Sequence, residues 1–232
     1  MTTAQTILDA ALNSSAWNDG GNTSIGNNPE ELVAALSRTV RQVYVLAAQG
    51  NGMDPRHAYF VRSTTLTLSA TLATAVALSS NAAGLDILRV LAVTESGGDP
   101  VAVVPIHEVR LGLAEIPPAV ILLDKTIRSA GRTGDPTASA VLTLDVAYAP
   151  PPLTLASHFI GATTLTSAST SSWPEAAGDP YLVAWLARYL AAKEGREDAE
   201  IAGYQEALAQ SAAMLGDLIG VAGARLAAVT SE

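Results

Sequence analysis

DPYLVAWLARYLAAKEGREDAEIAGYQEALAQSAAMLGDLIGVAGARLAAV, residues 179–229, is the longest amphipathic tract of the chain. Its first two residues have the form of a helix start, because aspartate accepts amide hydrogens at an N-cap and proline suits the first helical position. Leu182, Trp185 or Leu186, Tyr189 and Leu190 then share one side, and a helix is expected to end near Lys193. Gly195-Arg196 allows a tight turn, and Glu197, Asp198 and Glu200 place negative charge where the dipole of a following helix favours it. From Ile201 the series Tyr204, Leu208, Ser211, Leu215, Leu218, Ala222, Arg225 and Val229 keeps a three-to-four spacing, with Ser211 and Arg225 out of character. Unbroken, that helix would span roughly 45 Å. Gly203, Gly216, Gly220 and Gly223 weigh against continuity, at about 1 kcal/mol each relative to alanine. The tract therefore reads as part of a helical frame and not as a self-sufficient coiled coil.

The other part of the frame lies at the N-terminus. Thr2 or Thr3 can cap a short helix with Ile7, Leu8, Ala11 and Leu12 on its apolar side, followed by a polar loop over 13–28. Asn28-Pro29-Glu30-Glu31 combines a cap, a first-turn proline and a capping-box glutamate. The helix it opens is expected to run to about Gln49, with Leu32, Leu36, Val40 (or Thr39), Val43 and Leu46 buried and Arg38 and Arg41 beside that stripe. Gly50-Asn51-Gly52 ends it.

Between the two helical parts the period changes to two. Strands are expected at Tyr59–Ser69, Thr71–Ser79 and Asp86–Glu95, with a hairpin loop at Ser96–Asp99 and Pro100–Val104 pairing back. Further strands are expected at Ala119–Leu123, Lys125–Ser129 and Ser139–Tyr148, the last with Leu142, Leu144, Val146 and Tyr148 on one face. His107–Leu113 allows one helical turn, and Gly131–Pro136 a chain reversal. Pro150-Pro151-Pro152 forces a stiff, extended exit, and a Ser/Thr-rich loop leads to Trp173-Pro174. The expected fold class is α+β: a helical frame from the N- and C-terminal helices with a central antiparallel β-rich insert. Its expected segments are 1–58, the insert 59–155, the loop 156–178, and 179–232.

Composition narrows the function classes. Hydrophobic residues make up 49 % of 232, enough for a sizeable core, while charged residues are only 15 %, below the usual quarter. A sparsely charged surface suits subunit contacts. The net charge of −9, with lysine only at Lys125 and Lys193, argues against a protein that grips nucleic acid. The absence of cysteine removes disulfides, thiolate metal sites and thiol catalysis. Met1-Thr2-Thr3-Ala4-Gln5 has neither a basic nor an apolar signal region, so no signal peptide is expected. No membrane span is expected either: Ser63–Leu85 alternates like a strand, and Asp217 and Arg225 interrupt the apolar C-terminal run.

No catalytic constellation is legible. His57, His107 and His158 lack metal-ligand spacing, and no nucleophile elbow, P-loop or dinucleotide fingerprint occurs. No catalytic, cofactor-binding or metal-binding residue and no cofactor is expected. The acidic group around Glu194, Glu197, Asp198 and Glu200 reads as a solvated helix start. Phe60 and Tyr59, near Arg56 and Arg62, read as packing and not as a stacking platform. Gly216 and Gly220, four apart, would let two helices approach closely between subunits, or would mark a kinked segment.

The order of features resembles a known family. Asp86-Ile87-Leu88-Arg89-Val90, Val103-Val104-Pro105-Ile106-His107-Glu108, Ile116-Pro117-Pro118-Ala119-Val120, the strand Leu142–Tyr148 running out through prolines to Leu153, and the Ala-rich helical end together are similar to the neck adaptor proteins of tailed bacteriophages. These are also called head-to-tail connector or head completion proteins. The likeness is one of layout across nearly the whole chain. It implies a non-enzymatic subunit of a ring, usually dodecameric, docked beneath the portal protein and presented to the tail or the next neck protein. It implies DNA passing through the channel without sequence-specific binding, location in the virion neck, assembly in the host cytoplasm and no membrane. Under this resemblance the candidate subunit-interface residues are Arg38, Arg41, Gly216 and Gly220, and the candidate portal-contacting tail is Arg225, Leu226, Val229 and Glu232. Two other readings stay open: another virion part, such as a tail completion or baseplate protein, and a small-ligand protein or enzyme with an unrecognised site.

Overall fold

A helix that must bury apolar side chains over more than a third of its circumference needs neighbours on several sides, and α1, Pro29–Gln49, is of this kind. Leu32, Val33, Ala35, Leu36, Thr39, Val40, Val43, Tyr44, Ala47 and Ala48 are all buried, a wider stripe than the sequence spacing marks. Leu46 is only half-buried, and Tyr44 takes a place in the core that the sequence reading did not give it. The computed structural model describes residues 6–7, 10–11, 29–49, 60–68, 74–95, 98–105, 119–131, 140–152, 173–193 and 195–229. Outside them lie the Thr2/Thr3 cap, the loop 13–28, the Gly50-Asn51-Gly52 cap, Arg56, Tyr59, all three histidines, the segment 106–118, the turn over 132–136, the loop 153–172, Glu194 and Glu232. Thr6, Ile7, Ala10 and Ala11 are helical, with Ile7 and Ala11 buried as expected.

The chain forms α+β structure in two compact units. One comprises residues 1–60 and 150–232, the other 61–149. The sequence reading puts the insert at 59–155.

In the first unit α1 is joined by α2 (Glu175–Lys193), α3 (Asp198–Ile219) and the short α4 (Gly223–Ala227). The expected start of α2 at Asp179-Pro180 is corrected: the helix opens at Glu175, directly after Pro174, whose carbonyl accepts the amide hydrogens of Ala177 and Gly178. Pro180 lies inside the helix and cannot donate to the carbonyl of Ala176. Ala176 is exposed, so solvent can satisfy that carbonyl. Asp179 does not cap; its Oδ1 accepts the Trp173 indole N–H at 2.9 Å. The indole lies over Gly178, where a Cβ would come within 2.5 Å of the ring. Trp173 also stacks on Tyr44 at 6.3 Å and meets Phe60 edge-on at 6.4 Å, so Phe60 is packing, as read.

The turn from α2 to α3 uses Gly195 at φ +65°. The expected continuous C-terminal stripe ends at Ile219, where Gly220 adopts φ +69° and donates its amide hydrogen to the Gly216 carbonyl. The chain then folds back. Leu208, Ser211, Leu215 and Val229 are buried as the spacing requires, whereas Ala222 and Arg225 are exposed and Leu226 is buried in their place.

The second unit contains two sheets. Strands β1 (Val61–Leu68), β7 (Ala140–Ala149) and β3 (Asp86–Glu95) form an antiparallel sheet with β7 in the middle. Leu66 and Leu68 of β1 and Leu142, Leu144, Val146 and Tyr148 of β7 are buried, matching the alternation. The edge strand β3 carries two register shifts and the exposed Arg89, devices that blunt further pairing.

The second sheet has the order β2 (Val76–Ala77), β6 (Thr126–Gly131), β5 (Ala119–Leu123) and β4 (Ala102–Val103). Its β5–β6 turn places Asp124 at φ +51°, a conformation aspartate tolerates better than most residues. Two expectations are corrected here. The strand predicted at Thr71–Ser79 is, among the described residues, only Val76–Ala77 followed by a 3-10 turn at Leu78–Ser80. The predicted return of Pro100–Val104 onto β3 stops at one bridge, Thr94 with Pro100, after which Ala102–Val103 pairs parallel with β5.

Asn81 organises the connection between β2 and β3. Its Nδ2 donates to the carbonyls of Leu78 and Leu85, both at 2.8 Å. Its Oδ1 accepts from Thr64 Oγ1 and from the amides of Ala83 and Leu85. A buried amide with both ends satisfied fixes the loop where no apolar contact could.

Candidate functional site

The segment expected to contact the portal is seated on its own frame through Val229. Leu226 is fully buried and Val229 is 5 % exposed. Tyr181 Oη donates to the Leu226 carbonyl at 3.0 Å, and Trp185 Nε1 donates to the Val229 carbonyl at 2.9 Å. Burial pushes the Tyr181 phenol far above its usual range, so it stays protonated and donating. Arg225 is the exposed member of the segment, with Nη2 at 3.5 Å from Gln49 Oε1 of α1. Leu226 and Val229, two of the four candidate portal-contacting residues, make these contacts within the chain; Glu232 lies outside the described residues.

Gly216 also packs within the chain, beside the turn where the helix ends. A Cβ there would lie 2.3 Å from the Val221 carbonyl oxygen, and one on Gly223 would lie 2.8 Å from Ala213 Cα. The small residues let α4 close against α3 of the same chain, which leaves Gly216 no surface for a neighbour. Gly220 is exposed and serves as the left-handed end of α3.

Arg38 and Arg41 are placed differently. Both are exposed on the side of α1 away from its buried stripe. With Ala34, Ser37, Pro150 and Pro152 they line an open cavity of about 430 Å³. Positions 34, 37, 38 and 41 share one helix face, so the guanidinium groups stand one turn apart beside the stiff proline wall. Planar guanidinium forks of this kind match carboxylate oxygens.

One end of α1 is tied to α2 by a polar cluster. Glu31 Oε1 accepts from Tyr189 Oη at 2.9 Å and pairs with Lys193 Nζ, which also lies 5.4 Å from the Tyr189 ring centre. The hydrogen bond from Lys193, then that from Tyr189, holds the Glu31 carboxyl below its usual range. The hydrogen bond to Glu31 correspondingly raises the Lys193 ammonium.

Just beyond Lys193, Glu197, Asp198 and Glu200 are exposed around the turn from α2 into α3, with Arg196 Nη1 at 3.6 Å from Glu200. Asp198 and Glu200 lie in the first turn of α3, which accounts for their charge. Among the described residues no group of three or more His, Asp or Glu side chains is placed to hold a metal ion. No helix among them is long and apolar enough to cross a membrane. The chain matches no protein-family model and no curated protein.

Sequence reasoning reached Arg38 and Arg41 but missed the proline wall that makes a cavity beside them. The proline run was visible, but its return alongside α1 is a tertiary fact with no local signal. Tyr181 and Trp185 as anchors of the C-terminal residues were missed for the same reason.

Proposed function

We propose that this chain is a structural subunit of a bacteriophage head-to-tail adaptor ring, docked beneath the portal protein and joining it to the tail or the next neck protein. The observation that carries this reading is the architecture. The two ends of the sequence build one helical unit, and a β unit is inserted between Phe60 and Pro150. That is the layout on which the family resemblance rests. The helical unit supplies the ring wall, and the β unit supplies added surface. A net charge of −9 supports a channel through which DNA slides without being held. The residues act through contact, and no chemical step is assigned to them.

The test combines light scattering after size exclusion with binding to isolated portal rings. The reading expects a closed oligomer, or a chain that assembles on the portal. A strict monomer that also ignores the portal would sink it. Particle images separate this reading from a baseplate role: a neck ring lies between portal and tail, a baseplate part at the distal tip.

A further inference from the structure

We infer that the C-terminal residues 221–229 are an exchangeable strap hinged at Gly220. The strap seats on its own helical unit or, with α3 and α4 joined into one helix, takes the same seat on a second copy of this chain. The exchange is independent of the ring reading, since chains that form no ring can swap this segment and a ring can form without the swap.

The occupant of the seat is set by the chain itself. Tyr181 Oη and Trp185 Nε1 donate to the carbonyls of Leu226 and Val229, whose side chains are buried. Every copy carries both seat and strap, so a neighbour's strap meets the same two donors and the same apolar walls. The link between α3 and the strap turns at one left-handed residue, Gly220 at φ +69°. Its amide and that of Val221 both donate to the Gly216 carbonyl. Exchange of an identical element replaces each docking contact by its equal, so the hinge decides the balance.

The residues around the hinge encode a second conformation. Leu208, Ala212, Leu215, Ile219, Ala222, Leu226 and Val229 follow one another at alternate spacings of four and three, which puts them on one face of a continuous helix. In the fold-back all of them except Ala222 are buried, yet the stripe is cut at Gly220, and α4 lies beside α3 with Gly223 against Ala213. Joined through 220–222, one helix would carry Leu226 about 10 Å along its axis from Ile219, off the seat that Tyr181 and Trp185 form. Val221, buried in the fold-back, would turn to the side opposite the stripe, which favours the fold-back in a lone chain. The extended stripe regains cover only on a second copy. Extension is thereby coupled to exchange and rises with concentration.

Gly220→Ala tests the hinge. Alanine disfavours the left-handed turn and favours the joined helix, so the ratio of extended to folded-back chains is expected to rise at least about tenfold. Gly220→Asn tolerates the turn and is expected to behave like wild type. The chain has no cysteine, so nitroxide labels go only to Gln210→Cys and Ala224→Cys, both exposed positions, in each background. A continuous helix separates these positions by about 21 Å along its axis. The fold-back brings them closer, because Gly223 lies against Ala213. Doubly labelled chains are diluted into unlabelled chains of the same kind, so that electron-spin distances report within one chain. Light scattering follows the mass over the same concentrations. Gly220→Ala is expected to show the long distance in a fraction that grows with concentration, together with association. A short distance at every concentration overturns the hinge, even where chains associate, and leaves the ring reading standing. A long distance in chains that stay monomeric overturns the exchange. So does a Gly220→Asn chain that extends as much as Gly220→Ala, by showing that any change at the turn suffices. Where circular dichroism shows Gly220→Ala unfolded, the labelled wild type carries the same test: its long-distance fraction must grow with concentration, and a constant short distance overturns the strap.

Discussion

Two glycines in α3 have opposite reasons for being glycine. Gly203 is exposed, and a Cβ there meets nothing within 4 Å. Gly203→Ala is therefore expected to stabilise the fold by about 0.4–1 kcal/mol through a less flexible unfolded chain. A Cβ added at Gly216 would lie 2.3 Å from the Val221 carbonyl oxygen, a backbone atom that cannot step aside cheaply. Gly216→Ala is expected to cost about 1–3 kcal/mol, the usual range for overpacking, despite alanine's better helix propensity. Urea midpoints of the two variants decide the matter, and equal shifts would contradict the α3–α4 closure. Asn81→Leu should cost about 2–3 kcal/mol or more, since it strands buried partners on Leu78, Leu85, Ala83 and Thr64. Asn81→Asp keeps the acceptor and should fall between. None of the three roles is marked in the sequence. A glycine near a helix end and an asparagine near a turn are ordinary in type, and only the atoms brought beside them make them indispensable.

Among the elements, α2 carries the most constraint. It binds α1 through Glu31, Tyr189 and Lys193, and it binds the C-terminal residues through Tyr181 and Trp185. Leu226→Ala should cost about 2–5 kcal/mol, the range for a buried leucine that leaves a cavity. Truncation after Gly220 should lower the melting temperature of the frame more than that single change. A truncated chain that melts like wild type would contradict the docking. The Glu31–Lys193 pair gives a pH dependence at both ends. Glu31 is depressed below its ordinary 4.5, so its contribution is present above that value and is lost as pH falls through the folded value. Lys193 is raised above 10.5, so its contribution is present below that value and is lost as pH climbs through the folded value. Melts of Glu31→Gln across the acid range should show a shallower acid limb than wild type. The side chains of Lys193 and Glu31 are 42 % and 34 % exposed, so the effect is small. At this scale the sequence was legible wherever period and burial coincide, as in α1, β1 and β7. It was misread where one residue type serves two purposes. Asp179-Pro180 has the form of a helix start, yet the aspartate answers an indole and the helix has already begun at Glu175. The run to Val229 keeps helical spacing, yet a left-handed glycine turns it back.

The whole molecule is a helical unit interrupted by a β unit. Val61 of β1 pairs opposite Ala147 of β7, so the chain enters and leaves the insert on adjacent strands. Such strands stand about 5 Å apart, and a short Gly-Ser link can replace residues 61–149 without stretching the frame. That variant should keep helical circular dichroism and melt cooperatively, because residues 1–60 and 150–232 form a compact unit of their own. The frame-and-insert layout was readable because two periods, near four and near two, occupy separate parts of the chain. The site was only half readable. Arg38 and Arg41 stand out on an acidic chain, but the prolines beside them and the docking of Leu226 and Val229 depend on residues more than forty positions away. Assembly on a portal is the proposed role. The most direct measurement is light scattering of the purified chain, alone and with isolated portal rings. A closed oligomer, or co-migration with the portal as a ring of many copies, is expected, and a monomer that elutes apart from the portal at every concentration would contradict the proposed role.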